Sequence, residues 1–466
     1  MINRIPEDYR EFLDRIQSSS SQKIISFAAK ITKINLESLI NGLSIKDRLF
    51  YWHQPSQKIE MLAAGNILRI TASGFERTAE TEKEIKNLQS QFSSNHNEFP
   101  GVSFPLFTGG LKFAPDEKKE IWNDYEDSDW AIPGILFFRN KENYYVIYNT
   151  FTGNFDREEK VRNLKSYLDK IKNIKTDNNS NKSQTFSVNP KENTNGRQNW
   201  IDNVNAALET IRMSNLHKVV LARKVSAEVK NEIFFEGIIS VLAERYPDCY
   251  IFLFKSGNSI FFGASPEMLI RFSNGVIESD ALAGSAPRGE SKAEDEKIAG
   301  ELLSSVKNLN EQKAVVKFIS KSFSHFSDEI VFPEKPVIKK LTNIQHLFTP
   351  VKAKLKQSIS LFEIIRKIHP TPAICGTPLM KAFEKIKQLE DFERGLYSGA
   401  VGWFNFNCEG EFAVSIRSGL YKENKIYAFA GCGIVEGSDP QAEYEESLLK
   451  LQPILSLFQN EKIAKS

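Results

Sequence analysis

Two carboxylates on one turn of a helix open the chemistry of this chain: Glu443 and Glu446, in Asp439-Pro440-Gln441-Ala442-Glu443-Tyr444-Glu445-Glu446-Ser447. Pro440 suits a first helical turn and Asp439 can cap it, so the spacing puts both carboxyls on one face. Lys450 falls one turn beyond Glu446. An apolar strand-like run, Ile426 to Ala430, precedes them, followed by Gly431-Cys432-Gly433, which reads as a turn. Paired carboxylates beside a glycine turn suit a hard cation such as Mg²⁺. They equally suit a solvated acidic helix start favoured by the helix dipole.

Further candidates lie upstream. Lys218 opens the β-branched run Lys218-Val219-Val220-Leu221-Ala222-Arg223. A lysine at a strand edge is usually solvated; one held against apolar walls loses its proton more readily and can act as a general base. Glu267 lies in Gly263-Ala264-Ser265-Pro266-Glu267-Met268-Leu269, a turn into an apolar strand, where partial burial would raise its carboxyl. Facing each other, the two would make an acid/base pair, but the sequence alone does not bring them together. Glu311 sits in Lys307-Asn308-Leu309-Asn310-Glu311-Gln312, within an amphipathic helix. Ala283-Gly284-Ser285-Ala286-Pro287-Arg288-Gly289 reads as a small-residue loop, either an anion cradle of backbone N–H groups or an ordinary tight turn. Arg417 interrupts the apolar strand Phe412 to Ile416, either paired structurally or presented to a carboxylate.

The elements that must position these groups follow from periodicity. Helical spacing runs from Ile201 to Ser214, from Ile233 to Arg245 and over a long helix from Lys292 to Phe323. Tyr250–Phe254 and Ser259–Gly263 make a hairpin, and Phe104 to Phe113 reads as a glycine bend between strands. Consecutive strands mixed with long helices predict an α+β sandwich. An Asn/Ser/Lys-rich stretch at 174–198 reads as a linker between an N-terminal part, 1–173, and a region at 199–460, all one structural unit. Hydrophobic content of 41% and charged content of 26% are those of a soluble globular protein. A net charge of +2, without basic patches interleaved with aromatics, gives no pull toward nucleic acid. Cys249, Cys375, Cys408 and Cys432 are widely spaced, which excludes a CxxC zinc site and fits a reducing compartment. No apolar run approaches membrane-spanning length, and the start MINRIPEDYREFLDRIQ lacks the apolar core of a secretory leader. A cytoplasmic protein, monomeric by default, is expected.

Taken in order, KVVLAR (218–223), FGASPEML (262–269), LAGSAPRG (282–289), Glu311, NIQHL (343–347), HPTPAICGTP (369–378), YSGAVGW (397–403), SIRSG (415–419) and GCGIVEGSDPQAEYEES (431–447) form a set. With it, residues 199–458 resemble the chorismate-binding enzymes: anthranilate, aminodeoxychorismate, isochorismate and salicylate synthases. The part before the linker matches only loosely, through WHQP (52–55) and the Phe107–Phe113 segment. The resemblance implies the anthranilate synthase component I-like fold (the ADC synthase fold), a large two-layered β-sandwich flanked by helices. Lysine at 218, where ammonia-using members usually carry glutamine, is typical of members that add water. Ala283 stands where aminodeoxychorismate synthases often carry a lysine nucleophile. HPTPAICG looks like the isochorismate synthase form of its loop.

The implied activity is therefore a Mg²⁺-dependent isochorismate synthase acting on chorismate, with salicylate synthase next and anthranilate synthase component I less favoured. A menaquinone role is preferred over a siderophore one on the long N-terminal part. No glutamine amidotransferase subunit is expected, and no membrane partner. Within the resemblance, Lys218 is the base and Glu267 the acid; Glu311 and Glu446 hold Mg²⁺, with Glu443 outside them or acting through water. Tyr397 and Arg417 hold the enolpyruvyl carboxylate. Gly284, Ser285, Ala373, Gly433 and Lys450 line the substrate site, and His346 lies near the pocket. Asn308 departs from the pattern, replacing a further acidic residue that many members carry.

Overall fold

The computed structural model describes residues 4–16, 23–43, 47–115, 120–153, 156–173, 190–191, 196–229, 233–356, 359–407 and 409–458. Most of the expected linker at 174–198, and Cys408, lie outside the described residues. The described strands form a 13-stranded and a 10-stranded sheet. Each draws on both sides of the Asn-rich stretch: Arg48–Gln54 pairs with Tyr250–Ser256 in the first, and Phe107–Leu111 with Ala400–Phe404 in the second.

The sheets stack face to face over an aromatic core that includes Trp52, Phe252 and Phe261 from one sheet and Met268, Val401 and Ala413 from the other. Helices cover the outer faces. Phe235–Arg245 packs on the first sheet through Ile238, Ile239 and Leu242. Val306–Phe323 packs on the second through Val315, Ile319 and Phe323. Alternation along a strand serves both layers. In Lys218–Glu228, Val219 and Leu221 enter an outer core with Trp200 and Val204, while Lys218 and Val220 face inward to a cavity. The chain is thus an α+β sandwich flanked by helices. Among the described residues no helix is long and apolar enough to cross a membrane.

Five local expectations are corrected. The long helix is two, Lys292–Ser304 and Val306–Phe323. Ser305 takes an extended ψ of 110° and its hydroxyl accepts from Asn308 N, so it ends one helix and caps the next. The Phe104–Phe113 segment is not bent at its glycines, because Phe107–Leu111 runs straight through them. A Cβ on Gly109 would lie 2.0 Å from Asp129 O, and one on Gly110 2.9 Å from Ala400 O. Crowding by adjacent strands, not turning, explains this pair. Ala283–Gly289 is mostly the end of the strand Val276–Pro287, with a bulge at Gly284, where φ is 71°. Gly431-Cys432-Gly433 lies inside the strand Lys425–Val435 and makes no turn. The strand before Arg417 ends at Val414, and Arg417 adopts a φ of 53° in the connection to Ser418–Lys422.

Candidate functional site

The strand Lys218–Glu228 pairs antiparallel with Lys425–Val435, setting Val220 opposite Gly433 and Ala222 opposite Gly431. This strand pair forms one wall of a cavity of about 280 Å³. The bulged strand at Gly284, the first turns of Val306–Phe323 and the helix Pro440–Leu455 also line it. Every residue named from the sequence lines it: Lys218, Glu267, Gly284, Ser285, Glu311, His346, Ala373, Tyr397, Arg417, Gly433, Glu443, Glu446 and Lys450.

Lys218 Nζ lies 2.6 Å from Glu311 Oε1. The expected amine among apolar walls is therefore corrected to an amine paired with a carboxylate. Its path crosses Gly433, where a Cβ would stand 2.8 Å from Lys218 Cε, 3.3 Å from Nζ and 3.5 Å from Glu311 Oε1. Glycine is needed there to let the lysine lie across the sheet.

Glu267 occupies the two-residue crossing between Ser259–Ser265 of one sheet and Met268–Ser273 of the other. Its backbone is fixed, since Val414 N donates to Glu267 O at 3.0 Å and Glu267 N donates to Ser265 Oγ at 3.3 Å. Burial, then the nearby Asp280, push its carboxyl up to about 8, against Lys339, Lys218 and Lys450. At neutral pH it carries its proton.

Asp439 caps the acidic helix as expected, its Oδ1 accepting from Ala442 N at 2.8 Å, with Pro440 in the first turn. Burial, then Glu446, push Glu443 up to about 7. Burial also opposes the charged form of Glu446, but Lys450, 2.6 Å away, holds it below its ordinary value. Lys450 Nζ also donates to Gly431 O at 3.0 Å, tying helix to strand. Donor atoms of Glu443, Glu446 and Cys432 lie within 4.8 Å of one another. Burial drives the Cys432 thiol well up, and it donates to Glu443 O at 3.3 Å, so it is a neutral neighbour rather than a thiolate ligand. Crowded carboxylate oxygens, those of Glu443 buried and those of Glu446 partly so, fit a hard divalent cation, which would offset both the burial and the repulsion that lift Glu443.

The remaining walls offer donors. Arg417 is buried, and its Nη1 has no partner among the described residues. Tyr397 stacks on Phe429, centroids 5.2 Å apart, with its hydroxyl against Gly431. His346 Nδ1 lies 3.0 Å from Ser285 Oγ, while Nε2 is buried without a partner among the described residues. Burial, then Arg417, lower His346 well below its ordinary value, so it is neutral. Asn308 does stand beside the site, its side chain packed under Gly284.

Lys307, Ser398 and Phe429 also line the cavity and were not foreseen. Lys307 Nζ is 4.0 Å from Glu443, and its position four residues before Glu311 was the available signal. A separate Glu37, His53 and Glu60 cluster is bound up with the Tyr51 hydroxyl, which donates to Glu60 at 2.9 Å.

Known proteins point the same way. The chain is 30% identical over 451 residues to "Isochorismate synthase MenF" of Bacillus subtilis (strain 168), covering 94% of each. It is 31% identical to the "Salicylate biosynthesis isochorismate synthase" of Pseudomonas aeruginosa, covering 86% of this chain and 83% of that one. Its fold superposes on the menaquinone-specific isochorismate synthase of Escherichia coli with a TM-score of 0.79 at 20% identity, covering 98% of this chain and all (100%) of the other. On anthranilate synthase component I of Streptococcus pneumoniae the score is 0.70 at 19% identity, covering 96% of each chain. The sequence matches the chorismate binding enzyme family over residues 11–459, and the chain belongs to that family.

Proposed function

We propose that this chain is an isochorismate synthase, converting chorismate to isochorismate with Mg²⁺. One observation carries the reading: an amine, Lys218, and a carboxyl that keeps its proton, Glu267, line the same cavity as the carboxylates Glu311, Glu443 and Glu446. Relatives named isochorismate synthases, aligned over most of the chain, support it.

Glu311 and Glu446 would hold the metal, with Glu443 beside them. Mg²⁺, when bound, neutralises and orients the ring carboxylate of chorismate. Arg417, whose Nη1 has no partner among the described residues, and the Tyr397 hydroxyl take the enolpyruvyl carboxylate. Lys218, released from Glu311 and with its own proton given up to solvent, takes a proton from water as that water's oxygen bonds to ring C2. The ring double bonds shift, the C4–O bond breaks, and Glu267 gives its proton to the departing hydroxyl, which leaves as water. One water enters and one leaves, so the reaction is a net isomerisation without redox change. Proton exchange with solvent resets both groups.

Incubation with chorismate and Mg²⁺ tests the reading. Isochorismate without pyruvate supports it; stoichiometric pyruvate and salicylate assign the chain to salicylate synthesis instead. Ammonium-dependent anthranilate would overturn the water-adding role of Lys218. A menaquinone pathway is the favoured use of the product, on the long N-terminal part that precedes the linker.

A further inference from the structure

Glu267 sits on a connection only two residues long, so its direction depends on whatever holds the backbone on either side. Pro266 O accepts from Lys339 Nζ at 2.6 Å. Met268 N donates to Asp280 Oδ2 at 3.4 Å. Lys339 Nζ closes the ring, 3.4 Å from the same Asp280 oxygen. Neither Asp280 nor Lys339 lines the cavity. Asp280 is buried in a strand that continues as apolar Ala281, Leu282 and Ala283, an expensive place for a carboxylate without a partner. Lys339 reaches it from the short strand Val337–Lys340, its ammonium 5.1 Å above the Phe348 ring. Contact with substrate does not account for this pair of a buried carboxylate and a half-buried lysine.

We propose that Asp280 and Lys339 are a positioning pair for Glu267: by holding the backbone on either side of it they aim its carboxyl into the cavity. The inference rests on the reading of Glu267 as the acid. The charged groups that act on Glu267 are Asp280, Lys339, Lys218 and Lys450, from two strands, an edge strand and a helix; Arg271 acts on Asp280 in turn. Asp280 is the one that favours the protonated form. Without its charge the three lysines act unopposed and the proton is lost more easily. With both members of the pair neutral, the balance returns.

The test is the pH profile of kcat together with an infrared titration of the Glu267 carboxyl, identified by its absence in Glu267→Gln. Asp280→Asn should move the alkaline limb and the carboxyl titration down by about one pH unit. Asp280→Asn/Lys339→Met should bring both most of the way back, and Lys339→Arg should leave them in place. A structural role alone predicts lost stability with no such reversal. An unmoved titration in Asp280→Asn, or a double variant displaced as far as the single one, overturns the proposal. If Asp280→Asn does not fold, Lys339→Met serves, with an upward shift expected and none overturning it. Failure of the wild type to make isochorismate would sink the functional reading instead, and the infrared titration would still decide on the pair.

Discussion

Gly433→Ala is a small change aimed at the centre of the site. Gly433 lies in a regular strand without positive φ, so alanine suits its backbone. The added methyl would stand 2.8 Å from Lys218 Cε and 3.3 Å from Nζ, in side-chain atoms able to move. Ordinary contact begins near 3.4 Å, so Cε must retreat by at least about 0.6 Å and Nζ moves with it. Displacements on the order of 1 Å in a reacting group cost roughly 10²-fold in rate, or about 2.7 kcal/mol of barrier. The fold should hardly notice, because the clash is with a flexible chain end and not with backbone. The assay is kcat for isochorismate formation at saturating chorismate and Mg²⁺, beside a urea unfolding midpoint. We expect kcat to fall about 10²-fold with the midpoint nearly unchanged. Wild-type kcat would refute a lysine lying across Gly433 as the working base, and a collapsed midpoint would refute the assigned location of the strain.

Other perturbations probe separate parts of the account. Lys218→Ala should fold normally and lose about 10²–10⁴-fold in turnover, the usual contribution of a general base; unchanged turnover discards its role. Glu446→Gln should raise the Mg²⁺ concentration for half-maximal rate by about tenfold or more, whereas an unaltered titration removes Glu446 from the metal site. Because Glu443 is raised to about 7 and loses its negative charge on protonation, Mg²⁺ affinity should weaken as pH falls through neutrality. Equal affinities measured by calorimetry on either side of neutral pH would contradict that. Gly109→Ala drives a Cβ to 2.0 Å from backbone Asp129 O and should cost about 1–3 kcal/mol or more of stability, read as the urea midpoint. A wild-type midpoint there would mean that the strands are not so closely packed.

Sequence legibility followed local chemistry. Runs such as Val219-Val220-Leu221 and Tyr250-Ile251-Phe252 declare themselves as strands through β-branched and aromatic side chains, and both are strands. The cap at Asp439 and the shared face of Glu443 and Glu446 are equally local, and both are present. What escaped depends on neighbours distant in sequence. Gly109, Gly110 and Gly433 resemble turn glycines in isolation, yet they sit in strands because an adjacent strand or Lys218 fills the space of a side chain. The hairpin of Met268–Ser273 with Val276–Pro287 brings Asp280 beside Glu267, and Lys339 joins them only because Val337–Lys340 and Val276–Pro287 flank the same long strand. Lys218 looked like an isolated lysine among valines, and its carboxylate partner comes from a helix ninety-three residues away.

The central claim is that a proton-bearing Glu267 and the Lys218 amine act on one substrate in one cavity, adding solvent at one carbon as hydroxyl leaves another. It is tested most directly by running the reaction in ¹⁸O-water with chorismate and Mg²⁺ and locating the label by NMR and mass spectrometry. The account predicts isochorismate carrying solvent oxygen at the C2 hydroxyl, with pyruvate absent and the rate of label entry falling about 10²–10⁴-fold in Lys218→Ala together with its turnover. Isochorismate retaining the original, unlabelled hydroxyl oxygen would contradict it.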